Sequence, residues 1–290
     1  MNGFLCVLKP PGMTSSDAVL FVRKRLPRGT KVGHAGTLDP EAAGVLPIMI
    51  GKATRLFDLV TDKEKTYVAQ WKPGADTDTQ DAFGRVLSRG RTDVSREELE
   101  AVLPRFTGTV MQKPPMYSAL KRDGKKLCDL ARSGETVELS PRPVTIHSIR
   151  LLGENGDGSF RLEVHCGRGT YIRTLCQDIG EAIGCRAHMG VLLRTQCGPF
   201  SIEDTHTLEE LDGADPEKML LPMDTPISHI QAVTLNEAAE KGVRCGNPVP
   251  LRFADRMPEP GVCRLYLGDR FCGIGQRRGN EIYFNAMLLD

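Results

Sequence analysis

The chain has 290 residues, 40% hydrophobic and 26% charged, a composition that folds and at this length buries roughly three-quarters of the unfolded surface. Disorder is excluded as the main state, and the longest apolar runs, residues 4–8 and 45–50, fall far short of the roughly 20 residues a membrane-spanning helix needs. With 38 basic against 37 acidic side chains, composition announces no nucleic-acid partner, so positive charge for such a partner has to be local.

In chain order, residues 4–8 and 66–72 read as strands. Ser95 followed by Glu98 is a capping-box signature, and Leu99, Val102 and Leu103 supply one apolar face to a short helix ended near Pro104. Residues 144–152 and 159–166 read as strands; the second alternates Phe160, Leu162 and Val164 with Arg161, Glu163 and His165, the pattern of a half-buried antiparallel strand. A helix is predicted over residues 170–183, with Ile172, Leu175, Ile179 and Ile183 as its stripe and Gly184 where a left-handed cap is cheap.

The acidic stretch 208–225 reads as a solvated connector. Beyond it, Thr234 and Glu237 are expected to open a short helix closed by Gly242, and a hairpin turns at Gly268-Asp269 between strands 263–267 and 270–274. No repeat and no regular β-α-β alternation is present, so the expected class is α+β with a mixed, largely antiparallel sheet and a small β-rich C-terminal domain. Nine scattered cysteines without a C-x-x-C pair fit buried thiols better than a zinc ribbon or disulfide framework. The amino terminus has no export signal pattern, and a cytoplasmic or organellar-matrix location is expected.

Chemistry is expected first in Gly33–Pro47, a loop rich in glycine and proline that runs directly into an apolar strand. Such loops carry function because glycine permits close backbone approach while the scaffold fixes the side chains. Taken alone, Asp39-Pro40 is a turn opener and His34 a structural histidine. Gly44 to Gly51-Lys52 has the wrong spacing for a phosphate-binding loop, with Ala53 in place of the hydroxyl residue. Residues 76–87 lack the glycine and the glutamate of a calcium loop.

Gly33–Pro47 resembles the catalytic motif of the TruB family of tRNA pseudouridine synthases. Four further segments are similar to that family's motifs, in the same order: Lys9–Ser15, Lys65-Thr66-Tyr67 with Asp76–Thr79, Pro114–Lys121, and Gly169–Leu175. The resemblance spans about residues 9 to 200 and implies a catalytic domain over 1–228, an RNA-gripping thumb over 113–140 and a PUA-like RNA-binding domain over 229–290. It implies isomerisation of uridine 55 in the T arm of tRNA, with no cofactor and no metal, by a monomer whose C-terminal domain reaches the acceptor stem. A second activity as a tRNA-folding chaperone is compatible with a protein that grips and opens the T arm.

In that reading Asp39 is the essential carboxylate, acting at the ribose C1′ as nucleophile or at C2′ as base. Arg173 is its ion-pair partner, which favours the charged form. Tyr67 stacks on the uracil and is a candidate base, although a phenol with an ordinary pKa near 10 is better suited to stacking. Tyr171 and Leu192 line the pocket, and His34 helps evert the base, an unstacking that costs a few kcal/mol. Lys9 and Pro10 are expected at the substrate as well.

Local charge comes from Lys113, Lys121, Arg122, Lys125, Lys126 and Arg132 against Asp123 and Asp129, and from Arg23, Lys24, Arg25, Arg28 and Lys31. Phosphate contact is expected from both clusters, with affinity falling as salt rises. Where the family often has adjacent arginines, this chain has Leu192-Leu193-Arg194-Thr195. A relative that modifies another uridine or works with a guide RNA is the alternative enzyme, and a binding module or tRNA-folding chaperone without turnover is the alternative from another class.

Overall fold

Residues 4–8 are apolar without alternation because this strand is buried on both faces. Leu5 and Val7 join one core cluster, while Phe4 and Cys6 join another on the opposite face. The computed structural model describes residues 1–61, 63–118, 120–122, 124–135 and 137–289, and of Lys121, Arg122, Lys126 and Arg132 it describes the backbone.

The chain begins β1 (Gly3–Lys9), α1 (Ser15–Arg23), β2 (Val32–His34), β3 (Ala43–Ile50), α2 (Phe57–Thr61), β4 (Lys65–Pro73), β5 (Ala75–Thr77), β6 (Val86–Arg89) and α3 (Arg96–Val102). It continues with β7 (Gly108–Gln112), β8 (Lys121–Arg122), β9 (Lys125–Lys126), α4 (Leu127–Arg132), β10 (Arg142–Glu154), β11 (Phe160–Cys166) and α5 (Ile172–Ile183). After β12 (Ala187–Cys197), β13 (Phe200–Ser201) and α6 (Leu208–Asp212) comes a final unit of β14 (Ala232–Leu235), α7 (Glu240–Arg244), β15 (Val249–Pro250), β16 (Val262–Leu267), β17 (Arg270–Arg278) and β18 (Glu281–Met287).

The main sheet runs β1-β3-β12-β4-β11-β10-β7, with β2 on β3 and β13 on β12. Every pairing is antiparallel except β12 with β3. The expected α+β class with a mixed, largely antiparallel sheet is what the chain forms. One face of the sheet is covered by α5, whose Ile172, Leu175, Cys176 and Ile179 pack with Trp71 and Phe160. The Trp71 indole donates to the Cys176 carbonyl at 2.9 Å, which satisfies its polar end inside the core. On the other face, Phe4, Val45, Met49 and Phe200 cluster with Ile274 and Leu288 of the C-terminal unit. That unit is a five-stranded sheet, β14-β16-β17-β18-β15, in which Gly268 (φ 58°) takes the turn.

α3 carries the expected capping box from Ser95 and Glu98. α5 ends on Gly184 in the left-handed region, at φ 80°.

Two expectations need correction. Thr234 lies inside β14, the following helical turns start after Asn236, and the left-handed residue beyond them is Gly246 rather than Gly242. The chain over 208–225 is no solvated connector. Backbone bonds join Phe4 to Leu221 within it and, just before it, tie His206 to Cys6 and Leu8, so the chain from 206 to 221 is fastened to the outer edge of β1. Its acidic residues cap and solvate the outside, while Leu211 is buried.

Asp178 on α5 is a cost the fold accepts: burial, with Glu181 adding to it, raises its pKa from 3.8 to about 6. The folded state therefore holds more protons than the unfolded chain between those values, and stability falls as pH rises through that window. Asp178→Asn is expected to stabilise the protein at pH 7 by about 1 kcal/mol, discounted for solvent screening, and to give no gain at pH 4. Urea unfolding at the two pH values checks this, and a gain of equal size at both would refute it.

Candidate active site

The loop between β2 and β3 hangs from a hairpin whose register pairs Gly33 with Met49 and His34 with Ile48. β3 then runs beside β12, with Gly44 against Arg194. Gly44 has φ 117°, and a Cβ there would lie 2.1 Å from the Arg194 carbonyl oxygen, so the close approach of the two strands requires glycine.

Buried side chains hold most of the carbonyls of this loop. Arg194, with no exposed surface, donates from Nε to Val45 O at 2.8 Å, from Nη1 to Thr37 O at 3.3 Å and from Nη2 to Gly36 O at 3.1 Å. Ser15 Oγ accepts from Leu38 N at 2.8 Å and donates to Leu38 O at 3.1 Å. Lys9 Nζ donates to Pro40 O at 2.9 Å and to Pro10 O and Met13 O, each at 2.7 Å. Fixed on both sides, Asp39 has its backbone set before any ligand arrives.

Its carboxylate is taken up by Arg173, the second residue of α5. Nε donates to Asp39 Oδ2 at 2.8 Å and Nη2 to Oδ1 at 3.2 Å, the two-point geometry that a guanidinium offers a carboxylate. The same guanidinium donates to Thr79 O at 3.1 Å and Tyr117 O at 2.8 Å. It therefore ties the loop, the turn after β5 and the start of the 113–140 segment to one helix. Arg173 is almost fully buried, whereas the Asp39 side chain is 37% exposed and open to a ligand.

The backbone just before α5 is fixed by Gln112, whose side chain accepts from Tyr171 N at 2.8 Å and donates to Tyr171 O at 3.0 Å. In the turn beyond β5 the carboxylates serve the turn itself. Asp81 Oδ1 accepts from Thr79 Oγ1 and Phe83 N, and Asp78 Oδ1 accepts from Arg85 N.

Beside the Asp39–Arg173 pair opens a cavity of about 300 Å³, lined by residues 36–39 and 167–173 together with Lys65, Tyr67 and Leu192, at the small end of ligand-site sizes. Tyr67 reaches it because β4 alternates, placing Tyr67, Ala69 and Trp71 on the covered face. Burial pushes the Tyr67 phenol up to about 12, with the neighbouring Arg194 opposing. Burial raises the Tyr171 phenol as well. His34 lines no part of this cavity; it borders the adjoining cleft that reaches Asp39 from the other side, and the groove beyond that. Its Nδ1 is buried without a hydrogen-bond partner, and burial together with Arg194 lowers its pKa.

Several residues expected at the substrate lie elsewhere. Lys9 is fully buried with its donors spent on carbonyls, and Pro10 supplies one of them, so both shape the loop from below. Arg25 stacks on Phe21 and pairs with Asp212, whereas Arg23 and Lys31 border the groove beside His34. The 113–140 segment forms the β8–β9 hairpin and α4, with Lys113 and Lys125 exposed. The side chains of Lys121, Arg122, Lys126 and Arg132, and all of Asp123, lie outside the described residues.

Sequence reading met Arg194 and Ser15 inside motifs without giving either a role, and passed over Gln112. Arg194 could have been found from parity, because on a strand it shares a face with Leu192.

Residues 23–172 match the TruB family pseudouridylate synthase N-terminal domain, and residues 173–228 match the tRNA pseudouridylate synthase B C-terminal domain. The chain belongs to the TruB family. A tRNA pseudouridine synthase B from Alkaliphilus oremlandii is 44% identical over 100% of this chain and 98% of its own length. One from Heliobacterium modesticaldum is 46% identical over 95% of this chain and 90% of its own. Among solved structures, a Cbf5-Nop10-Gar1 complex contains a chain 26% identical with TM-score 0.75, covering 99% of this chain and 85% of that one. The fold also matches, at 24% identity and TM-score 0.73 over 99% of this chain and 85% of that one, an H/ACA RNP bound to a substrate RNA containing 2'-deoxyuridine.

In this TruB-family chain, removing Arg194 strands three carbonyls, each costing about 1–3 kcal/mol when left buried and unpaired. Arg194→Met is expected to destabilise the protein by about 3 kcal/mol or more, and Arg194→Lys to recover part of the loss. Urea unfolding measures both, and a change within about 0.5 kcal/mol, the size of an ordinary surface substitution, would contradict the clamp.

Proposed function

We propose that the protein is a tRNA pseudouridine synthase that isomerises uridine 55 in the T arm to pseudouridine. The observation that carries this reading is a carboxylate held at two points by a buried guanidinium, facing a cavity with Tyr67, Tyr171 and Leu192 on its walls. The reaction breaks the bond from N1 to C1′, turns the uracil and joins C5 to C1′; the C5 proton leaves and N1 gains one, so the product is an isomer. Asp39 acts on the sugar, at C1′ or C2′. Arg173 aims it and keeps the aim during the two bond changes, a contribution of orientation rather than of new contacts.

Tyr67, with its phenol pushed up to about 12, stays protonated across the neutral range. It serves as a stacking face, and deprotonated Tyr67 supplies no base near pH 8. The everted uridine occupies the cavity, and His34 works from the neighbouring cleft on the space the base vacates.

We assign catalysis to residues 1–228, RNA gripping to 113–140 and acceptor-stem contact to the PUA-like unit of 229–290, in a monomer working in the cytoplasm. Exposed Lys113 and Lys125 support the gripping role. Chaperoning of tRNA folding accompanies the isomerase activity.

Release of tritium from C5-labelled uridine in an unmodified tRNA transcript tests the function. Turnover is expected from the wild-type chain and none from Asp39→Asn, which keeps the shape and loses the charge. Equal rates would reject the role of Asp39, and binding without turnover by either would favour a chaperone. Tyr67→Phe is expected to retain RNA affinity while Tyr67→Ala weakens it by about 1–3 kcal/mol, the worth of a base–aromatic stack. Filter binding reads both, and equal affinity for the two would remove the stacking role. In salt titrations, Lys125→Ala is expected to reduce the slope of log affinity against log salt by about one; an unchanged slope would place Lys125 off the RNA.

A further inference from the structure

Where the start of β4 and the strands β11 and β10 lie side by side, three side chains with metal-binding chemistry converge. Glu64 immediately precedes β4, His147 is on β10 and His165 on β11. Glu64 Oε1 lies 3.0 Å from His147 Nε2, and Glu64 Oε2 lies 3.0 Å from His165 Nε2. All three donor atoms fall within 4.8 Å of one another, and the two imidazole rings pack with centroids 4.8 Å apart.

The convergence has a backbone cause. The β10–β11 register pairs Ile146 with Cys166 and Ser148 with His165, which leaves His147 as the extra residue of a bulge. A bulge re-aims a side chain. The pairing of Ile146 with Cys166, continued by one residue, sets His147 opposite His165 on one face, and the bulge holds His147 and Ser148 together at that place.

We propose that Glu64, His147 and His165 form a binding site for a borderline divalent transition ion, with zinc as the expected occupant. Two imidazoles and one carboxylate are a donor set suited to zinc, and hard ions such as magnesium prefer all-oxygen sites. The side chains are 57%, 36% and 39% exposed for Glu64, His147 and His165, so water completes the coordination. Zinc binds at about 2.0–2.1 Å from nitrogen, which requires the imidazoles to close on the ion by rotation of exposed side chains. Each ring then presents the Nε2 lone pair and keeps its hydrogen on Nδ1, releasing a proton if it carried two.

The ion would clip the start of β4 to the β10–β11 pair. Lys65 follows Glu64, and Gly167–Thr170 begins two residues after His165; both segments line the cavity beside Asp39. The site is a brace under that wall, and it takes no part in the bond changes at the sugar.

Calorimetric titration of the full-length apoprotein with zinc chloride tests the site, using Cys245→Ser as the background because Cys245 is the exposed thiol among the described residues. One equivalent is expected to bind at micromolar zinc and to raise the unfolding temperature. His147→Gln, His165→Gln and Glu64→Gln are each expected to lower the affinity at least about tenfold and to abolish the thermal shift. Should a variant fail to fold, zinc protection of both histidines from diethyl pyrocarbonate in the parent protein decides. Absence of stoichiometric binding, binding unchanged by all three substitutions, or no protection of the two rings would overturn the site.

Discussion

A single guanidinium organises the centre of this protein. Arg173 donates to both oxygens of Asp39 and to the carbonyls of Thr79 and Tyr117, so segments far apart in sequence share one buried cation. Burying a charge is tolerable when its hydrogens are all but spent and an opposite charge is near. The arrangement meets both conditions while leaving the carboxylate partly exposed. Orientation of the acid is thus paid for by folding, before RNA arrives.

Two other buried cations solve a related problem. A loop with several inward carbonyls cannot sit against a core unless donors meet them. Arg194 meets Gly36, Thr37 and Val45 from the sheet side, and Lys9 meets Pro40 from the end of β1. Burial lowers the Lys9 pKa to about 8, with Glu41 and Asp39 opposing; the three carbonyls at its ammonium favour the protonated state as well. Ser15 completes the set at Leu38. The parallel pairing of β3 with β12 places Arg194 against Gly44, so the topology of the sheet and the rigidity of the loop have one origin.

Legibility in the sequence followed burial geometry. β4 and β11 bury one face, and their period of two was readable. β1 and β3 bury both faces, so their apolar runs marked strands without indicating what covers them. α1 went unread although Thr14 and Asp17 form a capping box, because the short stripe of Ala18 and Val22 is weak. The acidic 208–225 stretch was misread, since Leu211 and the backbone bonds at Leu221 do its packing. Asp39 and Arg173 lie 134 positions apart, and no spacing rule joins them; their pairing came from the likeness to the TruB family. Arg194 and Lys9 were the hardest, because lysine and arginine are almost never fully buried and read as surface charge until their carbonyl partners are seen.

The most direct test of this account is the single-turnover isomerisation rate of Arg173→Lys at saturating tRNA, measured alongside its RNA affinity. A lysine keeps the positive charge and loses the fork, so Asp39 would keep a cation beside it but no longer be aimed. The account predicts a rate lower by about 10²-fold with affinity unchanged. A rate equal to wild type would show that the two-point pairing is not what places the carboxylate, and would contradict it.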